Sequence, residues 1–218
     1  MSLFGYLRTR PAMGVLMRPS VVRGMCMRTY TTSEPSEATP APTASSDKVC
    51  VYLNEKPQIH ESCFIADNAT VLGRVRMGQN SSVFYNCTLR ADINHITIGN
   101  ESNIQDNTVI HVSSTSGVTI GNGVTVGHSA LIHACTVEDN VLVGMGSIIM
   151  DGATIGRDSI VAAGALVPMD VTYPERSLII GRPAKVDRQL EEEEVENLRA
   201  QSAKYIKVMT EHKNFNKM

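Results

Sequence analysis

Three of the six histidines, His111, His128 and His133, lie at spacings of 17 and 5. They follow a run of polar and charged residues that contains Arg90, Asp92, Asn103, Gln105 and Asp106. Imidazole is the commonest protein ligand for a transition metal, and three imidazoles that leave a fourth position open make a catalytic type of centre. Such a centre lowers the pKa of bound water from 15.7 to about 7 when the ion is zinc, and so supplies a nucleophile at neutral pH. Iron and cobalt accept the same ligands. A lone histidine on a protein exterior is usually only solvated, and His60, His95 and His212 are read that way. The trio needs a scaffold that brings its members together.

An aliphatic residue recurs every six positions at Ile65, Val71, Met77, Val83 and Leu89, then at Ile98, Ile104 and Ile110, then at Ile120, Val126 and Ile132. After a five-residue step the series resumes at Val137, Val143, Ile149, Ile155, Val161 and Val167. Four places after most anchors stands a small or β-branched residue, such as Ala69, Ser81, Cys87, Ser102, Thr108, Ala130, Ser147 or Ser159. A six-residue period with an inward anchor and a small partner builds one short strand and one corner per hexad. Three hexads close one coil of a prism, and coils stack about 4.8 Å apart through parallel backbone hydrogen bonds. The expected fold is all-β, a left-handed parallel β-helix of hexapeptide repeats. A sandwich of short strands would instead show alternation broken by turn clusters.

Dealing the hexads onto three faces requires two longer steps to be loops at corners, residues 94–96 and 112–117. The first face then starts at Ile65, Val83, Ile104, Val126, Val143 and Val161, and the second at Val71, Leu89, Ile110, Ile132, Ile149 and Val167. In this register Arg90, His111 and His133 each follow a second-face anchor in consecutive coils, forming one outward column. Tyr85, Asp106 and His128 form another on the first face, at or near a corner. His128 reaches the other two imidazoles awkwardly within one chain and easily from a neighbouring one. A trimer with its axis parallel to the prisms would bring these columns together and set Asp106 of one subunit near Arg90 of the next.

The rest of the chain divides by composition. Residues 1–30 carry Arg8, Arg10, Arg18, Arg23 and Arg28 and no acid, the pattern of a mitochondrial transit peptide, with cleavage expected near Tyr30. Its removal takes five of the 20 basic residues and none of the 22 acidic ones, leaving a formal charge of about −7, a poor match for nucleic acid. Residues 31–48 read as a flexible Pro/Ser/Thr-rich linker, 49–186 as the β-helix, 187–212 as a C-terminal helix and 213–218 as a tail. The helix carries a stripe of Leu190, Val195, Leu198, Ser202, Tyr205, Ile206 and Met209, suited to packing on a prism face, with Glu191–Glu194 at its start. No apolar run is long enough to span a membrane. Cys26, Cys50, Cys63, Cys87 and Cys135 include no C-x-x-C pair and read as buried structural thiols.

Three stretches resemble the gamma-class carbonic anhydrase family: Leu89-Arg90-Ala91-Asp92, Asn103-Ile104-Gln105-Asp106-Asn107 with His111, and Val126-Gly127-His128-Ser129-Ala130-Leu131-Ile132-His133. The run 136–151 and Gly181-Arg182-Pro183-Ala184-Lys185 extend the resemblance over about residues 50–212. It is similar above all to the mitochondrial branch, whose members form trimers on the membrane arm of respiratory complex I. The resemblance implies zinc held by His111 and His133 of one chain and His128 of the next, with reversible hydration of carbon dioxide to bicarbonate as the reaction. It also implies that Gln105 orients water or bicarbonate, that Arg90 pairs with Asp106 across the interface, and that Asp92 and Asn103 lie in the same cleft. The implied location is the matrix, peripheral to the inner membrane, in a homotrimer or a mixed trimer with paralogues. One departure concerns proton export: Ile93 stands where an archaeal glutamate follows the arginine motif, and the loop 112–117 has no acid. Two further readings follow, a metal-holding assembly subunit of complex I with little or no turnover, and a hexapeptide-repeat acyltransferase. The acyltransferase does not account for three histidines with these companions.

Overall fold

Strand pairing deals the hexads onto three ladders in the expected register. The computed structural model describes residues 50–215, and the transit-peptide and linker readings (1–30 and 31–48) lie outside them. On the first face, Phe64–Ile65, Ser82–Val83, Asn103–Ile104, Thr125–Val126, Leu142–Val143, Ile160–Val161 and Ser177–Gly181 pair in parallel order. On the second, Val71, Leu89, Ile110, Ile132, Ile149 and Val167 are directly paired neighbours. The third runs through Ile59, Met77, Ile98, Ile120, Val137, Ile155 and Tyr173. The chain is thus a parallel β-helix of hexapeptide repeats followed by one helix.

The anchors fill the prism: Val83, Leu89, Ile104, Ile110, Ile132 and Ile149 are wholly inaccessible to solvent. The small partner positions have a polar reason as well as a steric one. Ser81 and Ser102 donate their buried hydroxyls to the carbonyls of Gly99 and Gly121, each at 2.7 Å, and accept the amides of Ser102 and Val124, each at 3.0 Å. A bulkier side chain would fill the space and orphan those backbone groups.

Corners are made by residues at positive φ. Between the first and second faces they are Asn86, Asn107, Ser129, Gly146 and Gly164, at 57°, 62°, 59°, 64° and 69°. Asn and Gly tolerate this region best, which is why they collect there. Each corner residue in the upper coils directly follows Tyr85, Asp106 or His128, so the left-handed turn fixes the direction that strand alternation leaves open.

Two boundaries differ from the sequence reading. Residues 94–96 are no external loop: Thr88–Ile98 is one strand, and the insertion is taken up by 92–95 where the register jumps from Gly73–Ala91 to Val75–Ile96. Ile96 is wholly buried and serves the core, so the apolar requirement outranks the shorter loop. The loop at 112–117 does form, closed by a turn in which the Ser113 amide donates to the Ser116 carbonyl at 3.0 Å, although Val112 itself is buried. The second boundary lies at the end of the prism. Ala184–Gln189 folds back antiparallel on Ser177–Gly181 and covers the last coil, with Tyr173 Oη donating to the Ala184 carbonyl at 2.8 Å.

Asp187 therefore belongs to a strand, and the helix runs Glu192–Phe215 where the periodicity places it at 187–212. Its apolar stripe lies along the first face. Leu190, Val195 and Leu198 cluster with Leu142, Ile160 and Leu178, and Met209 clusters with Phe64 and Phe84. Three acids stand in its first turn, where the helix dipole favours them. No helix among the described residues is long and apolar enough to cross a membrane.

Candidate functional site

The site residues form two clusters on different faces of one prism. On the second face the ladder pairs Arg90 with His111 and His111 with His133. Their rings lie 5.2 Å apart, and Nδ1 of His111 is 3.2 Å from Nε2 of His133. The opposite nitrogens are both held by carboxylates: His111 Nε2 donates to Asp92 Oδ1 at 3.2 Å and His133 Nδ1 to Asp151 Oδ1 at 2.5 Å. A carboxylate only accepts, so each far nitrogen carries the hydrogen and each facing nitrogen presents a lone pair.

Two lone pairs at this distance repel unless a cation lies between them. Ligands at 2.0–2.1 Å subtending a tetrahedral angle stand about 3.3 Å apart, so the observed 3.2 Å fits one ion. A shared proton is the alternative bridge, but burial pushes His111 below the ordinary imidazole value, Arg90 pushes the same way, and Asp92 offsets this only in part. The buried Asp92 carboxyl would be raised by burial alone; hydrogen bonds from Arg90 and His111 outweigh that and hold it below its usual range. Arg90 Nη1 reaches Asp92 Oδ2 at 2.6 Å.

The second cluster stands at the corner of the first face. His128 Nδ1 lies 2.8 Å from Asp106 Oδ2, which leaves Nε2 as its free coordinating nitrogen. Asp106 Oδ1 accepts the amide of Tyr85 at 3.2 Å. Beside them Gln105 Nε2 donates to Asn103 Oδ1 at 3.1 Å and Asn103 Nδ2 to Thr125 Oγ1 at 2.9 Å, which fixes both amides. Gln105 and His128 border a cleft of about 420 Å³ whose mostly apolar lining includes Gly127, Leu142, Gly144 and Ala162, with Gln201 and Tyr205 contributed by the helix.

Within one chain Asp92 and Asn103 therefore belong to different clusters, and the single-chain partners are Asp92 for Arg90 and His128 for Asp106. Among the described residues no three metal-ligating side chains converge within one chain. His111 and His133 present a pair of imidazoles held by carboxylates on the second face, and His128 presents another on the first.

The family described as bacterial transferase hexapeptide (six repeats) matches residues 134–168. The Arabidopsis thaliana protein named gamma carbonic anhydrase 2, mitochondrial, is 41% identical over 170 residues, covering 75% of this chain and 61% of that protein. The Geobacillus kaustophilus protein named carbonic anhydrase is 42% identical over 155 residues, covering 71% of this chain and 85% of that protein. The chain belongs to the gamma-class carbonic anhydrase family. Among solved structures, the product of the Bacillus cereus BC4754 gene matches this family member with a TM-score of 0.74 and 37% identity, over 75% of this chain and 95% of that one. The chain spans 61% and 60% of the lengths of the two Arabidopsis thaliana relatives.

In this gamma-class chain, sequence reasoning misses Asp151, although it follows His133 by 18 residues, one coil of the prism. It also misses Gln201 and Tyr205, whose four-residue spacing puts them on one side of the helix. Two assignments need correction. Cys63, Cys87 and Cys135 are buried, but Cys50 is exposed and its thiol lies 3.7 Å from Asp92 Oδ2. Burial pushes the Cys87 and Cys135 thiols up to about 11 and about 12, which keeps them inert. His60 and His95 are exposed as expected, whereas the helix lays His212 against the aromatic rings of Phe64 and Phe84 on the first face.

Asp151 yields a specific expectation. Asp151→Ala frees the His133 ring to rotate and removes the group that holds its tautomer, so metal affinity falls by about 10–100-fold with the fold intact. Competition against a chromophoric chelator measures this, and unchanged affinity would remove Asp151 from the site.

Proposed function

We propose that this protein catalyses the reversible hydration of carbon dioxide to bicarbonate at metal sites shared between neighbouring subunits of a trimer. His111 and His133 of one chain and His128 of the next would hold the ion, zinc by preference, with iron or cobalt accepted by the same donors. The observation that carries this reading is the pair of carboxylate-fixed imidazoles whose lone pairs converge at 3.2 Å. When bound, the metal supplies the Lewis acidity that makes water nucleophilic near neutral pH.

The chain's own residues do the rest. Asp92, Asp151 and Asp106 orient the three rings. Gln105, with its amide nitrogen committed to Asn103, turns its carbonyl oxygen to accept a hydrogen bond from water or from the bicarbonate hydroxyl. The mostly apolar lining of the cleft suits carbon dioxide, which has no net dipole, better than the bicarbonate anion that must leave. Arg90, drawn toward the interface in the trimer, would pair with Asp106 of the neighbouring chain and help to close it.

The mitochondrial names of the relatives and the acid-free prefix support a mitochondrial location; a place in the matrix on the membrane arm of complex I, with paralogues as trimer mates, extends this reading on the family resemblance alone. A second reading, a metal-holding assembly subunit that turns over slowly, is favoured by one observation: the loop after His111 presents Ser113, Thr115 and Ser116 and no acid. Stopped-flow hydration on the metal-loaded trimer, with and without imidazole buffer, separates the two. Catalysis that disappears on chelation and returns on reloading is expected; hydration no faster than buffer alone at every imidazole concentration would leave the assembly reading standing.

A further inference from the structure

Hydration of carbon dioxide forms one carbon–oxygen bond, breaks one oxygen–hydrogen bond of water and leaves one proton to be carried to bulk solvent for each bicarbonate made. No acid on the loop 112–117 serves that need. We propose that His212, at the end of the C-terminal helix, is the proton-export residue of the neighbouring site; this rests on the hydration reading above.

Three features place it there. First, the ring is held: its centroid lies 5.8 Å from Phe64, 5.4 Å from Phe84 and 5.6 Å from Tyr85, and Nδ1 is 2.8 Å from Tyr85 Oη. Second, Tyr85 is the head of the column that continues through Asp106 to His128, two coils or about 10 Å away, a span that a short file of waters covers. Third, His212 borders an open hollow of about 330 Å³ lined by Tyr85, Glu211, His212 and Phe215, where buffer can collect a proton. An imidazole that meets a tyrosine hydroxyl on one side and an open hollow on the other is a side chain suited to take and give protons.

The transfer balances without another reactant. Tyr85 Oη gives its proton to His212 Nδ1 as it takes one from a neighbouring water, and the imidazolium then loses a proton to buffer in the hollow. The charged and titratable groups around the ring are Glu211 and Lys213 on the helix, and Tyr85 with Asp106 behind it on the first face. Lys213 is committed to the Ser62 and Glu61 carbonyls at 2.6 and 3.3 Å, and Tyr205 lies across Phe84.

The test uses the metal-loaded trimer, with metal per subunit measured for every variant. His212→Ala is expected to lower kcat about tenfold or more at low buffer, to leave kcat/KM unchanged and to recover with added imidazole. Tyr85→Phe, which keeps the ring and deletes only the hydroxyl, should shift the His212 ring nitrogens in 15N NMR and lower kcat in the same buffer-dependent way. A His212→Ala enzyme with wild-type kcat at low buffer, or a loss shared by kcat/KM and not rescued by imidazole, overturns the assignment. A metal-loaded wild type without hydration at any buffer concentration overturns the functional reading itself, and this inference with it.

Discussion

His111→Ala and His133→Ala each reduce tightly bound metal from about one per subunit to near zero, and carbon dioxide hydration falls with it to the level of the metal-free protein. Two remaining imidazoles, one from each chain, do not hold zinc firmly. Each substitution also leaves a carboxylate, Asp92 or Asp151, without the ring it orients. The loss belongs to the site and not to the fold, because the core residues behind these rings, Ile110 and Ile132, are wholly buried and untouched. Both rings point outward from the prism, so the far-ultraviolet circular dichroism of each variant should match the wild type. His95→Ala is the control: His95 is exposed and bonds only to its neighbour Asn94 among the described residues, so its loss leaves metal content unchanged. Elemental analysis in non-chelating buffer checks all three, and full metal occupancy in His111→Ala or His133→Ala would remove that residue from the centre.

Most of the prism was legible because one rule acts at every hexad. An inward anchor every six residues determines which faces Ile104, Ile110 and Val126 occupy, and so which column carries His111 and His133. Where that rule is interrupted, legibility fails. The insertion after Arg90 can be placed at 94–96 or 92–95 by spacing alone, and only the burial of Ile96 decides it. The start of the helix was obscured because Asp187 and Leu190 fit both a helical stripe and the strand that closes the last coil.

The histidine columns were legible and the carboxylate contacts that hold their rings were not, for a related reason. His111 and His133 share one place in the repeat, whereas Asp151 reaches His133 from a different place in the repeat one coil further on. Asp92 lies inside the bulged segment, where no repeat position is defined. His212 meets Tyr85 across 127 residues, through a contact between helix and prism that no local pattern encodes. The apolar stripe likewise accounts for Tyr205 by packing, though its ring also walls the cleft.

The central claim, that one metal site is built from two chains, is tested most directly by mixing two defective chains. A His128→Ala chain keeps the His111 and His133 pair, and a His111→Ala/His133→Ala chain keeps His128. In a cyclic trimer each interface joins the second-face column of one chain to the first-face column of the next. Either mixed composition then contains one interface where both halves are intact, and neither pure trimer contains any. Random assembly of equal amounts gives mixed trimers in about three quarters of the population. Native mass spectrometry of the co-expressed chains reads composition and metal together. The account predicts one metal ion on each mixed trimer and none on either pure trimer. Mixed trimers that carry no metal, beside a wild type that carries three, would contradict it.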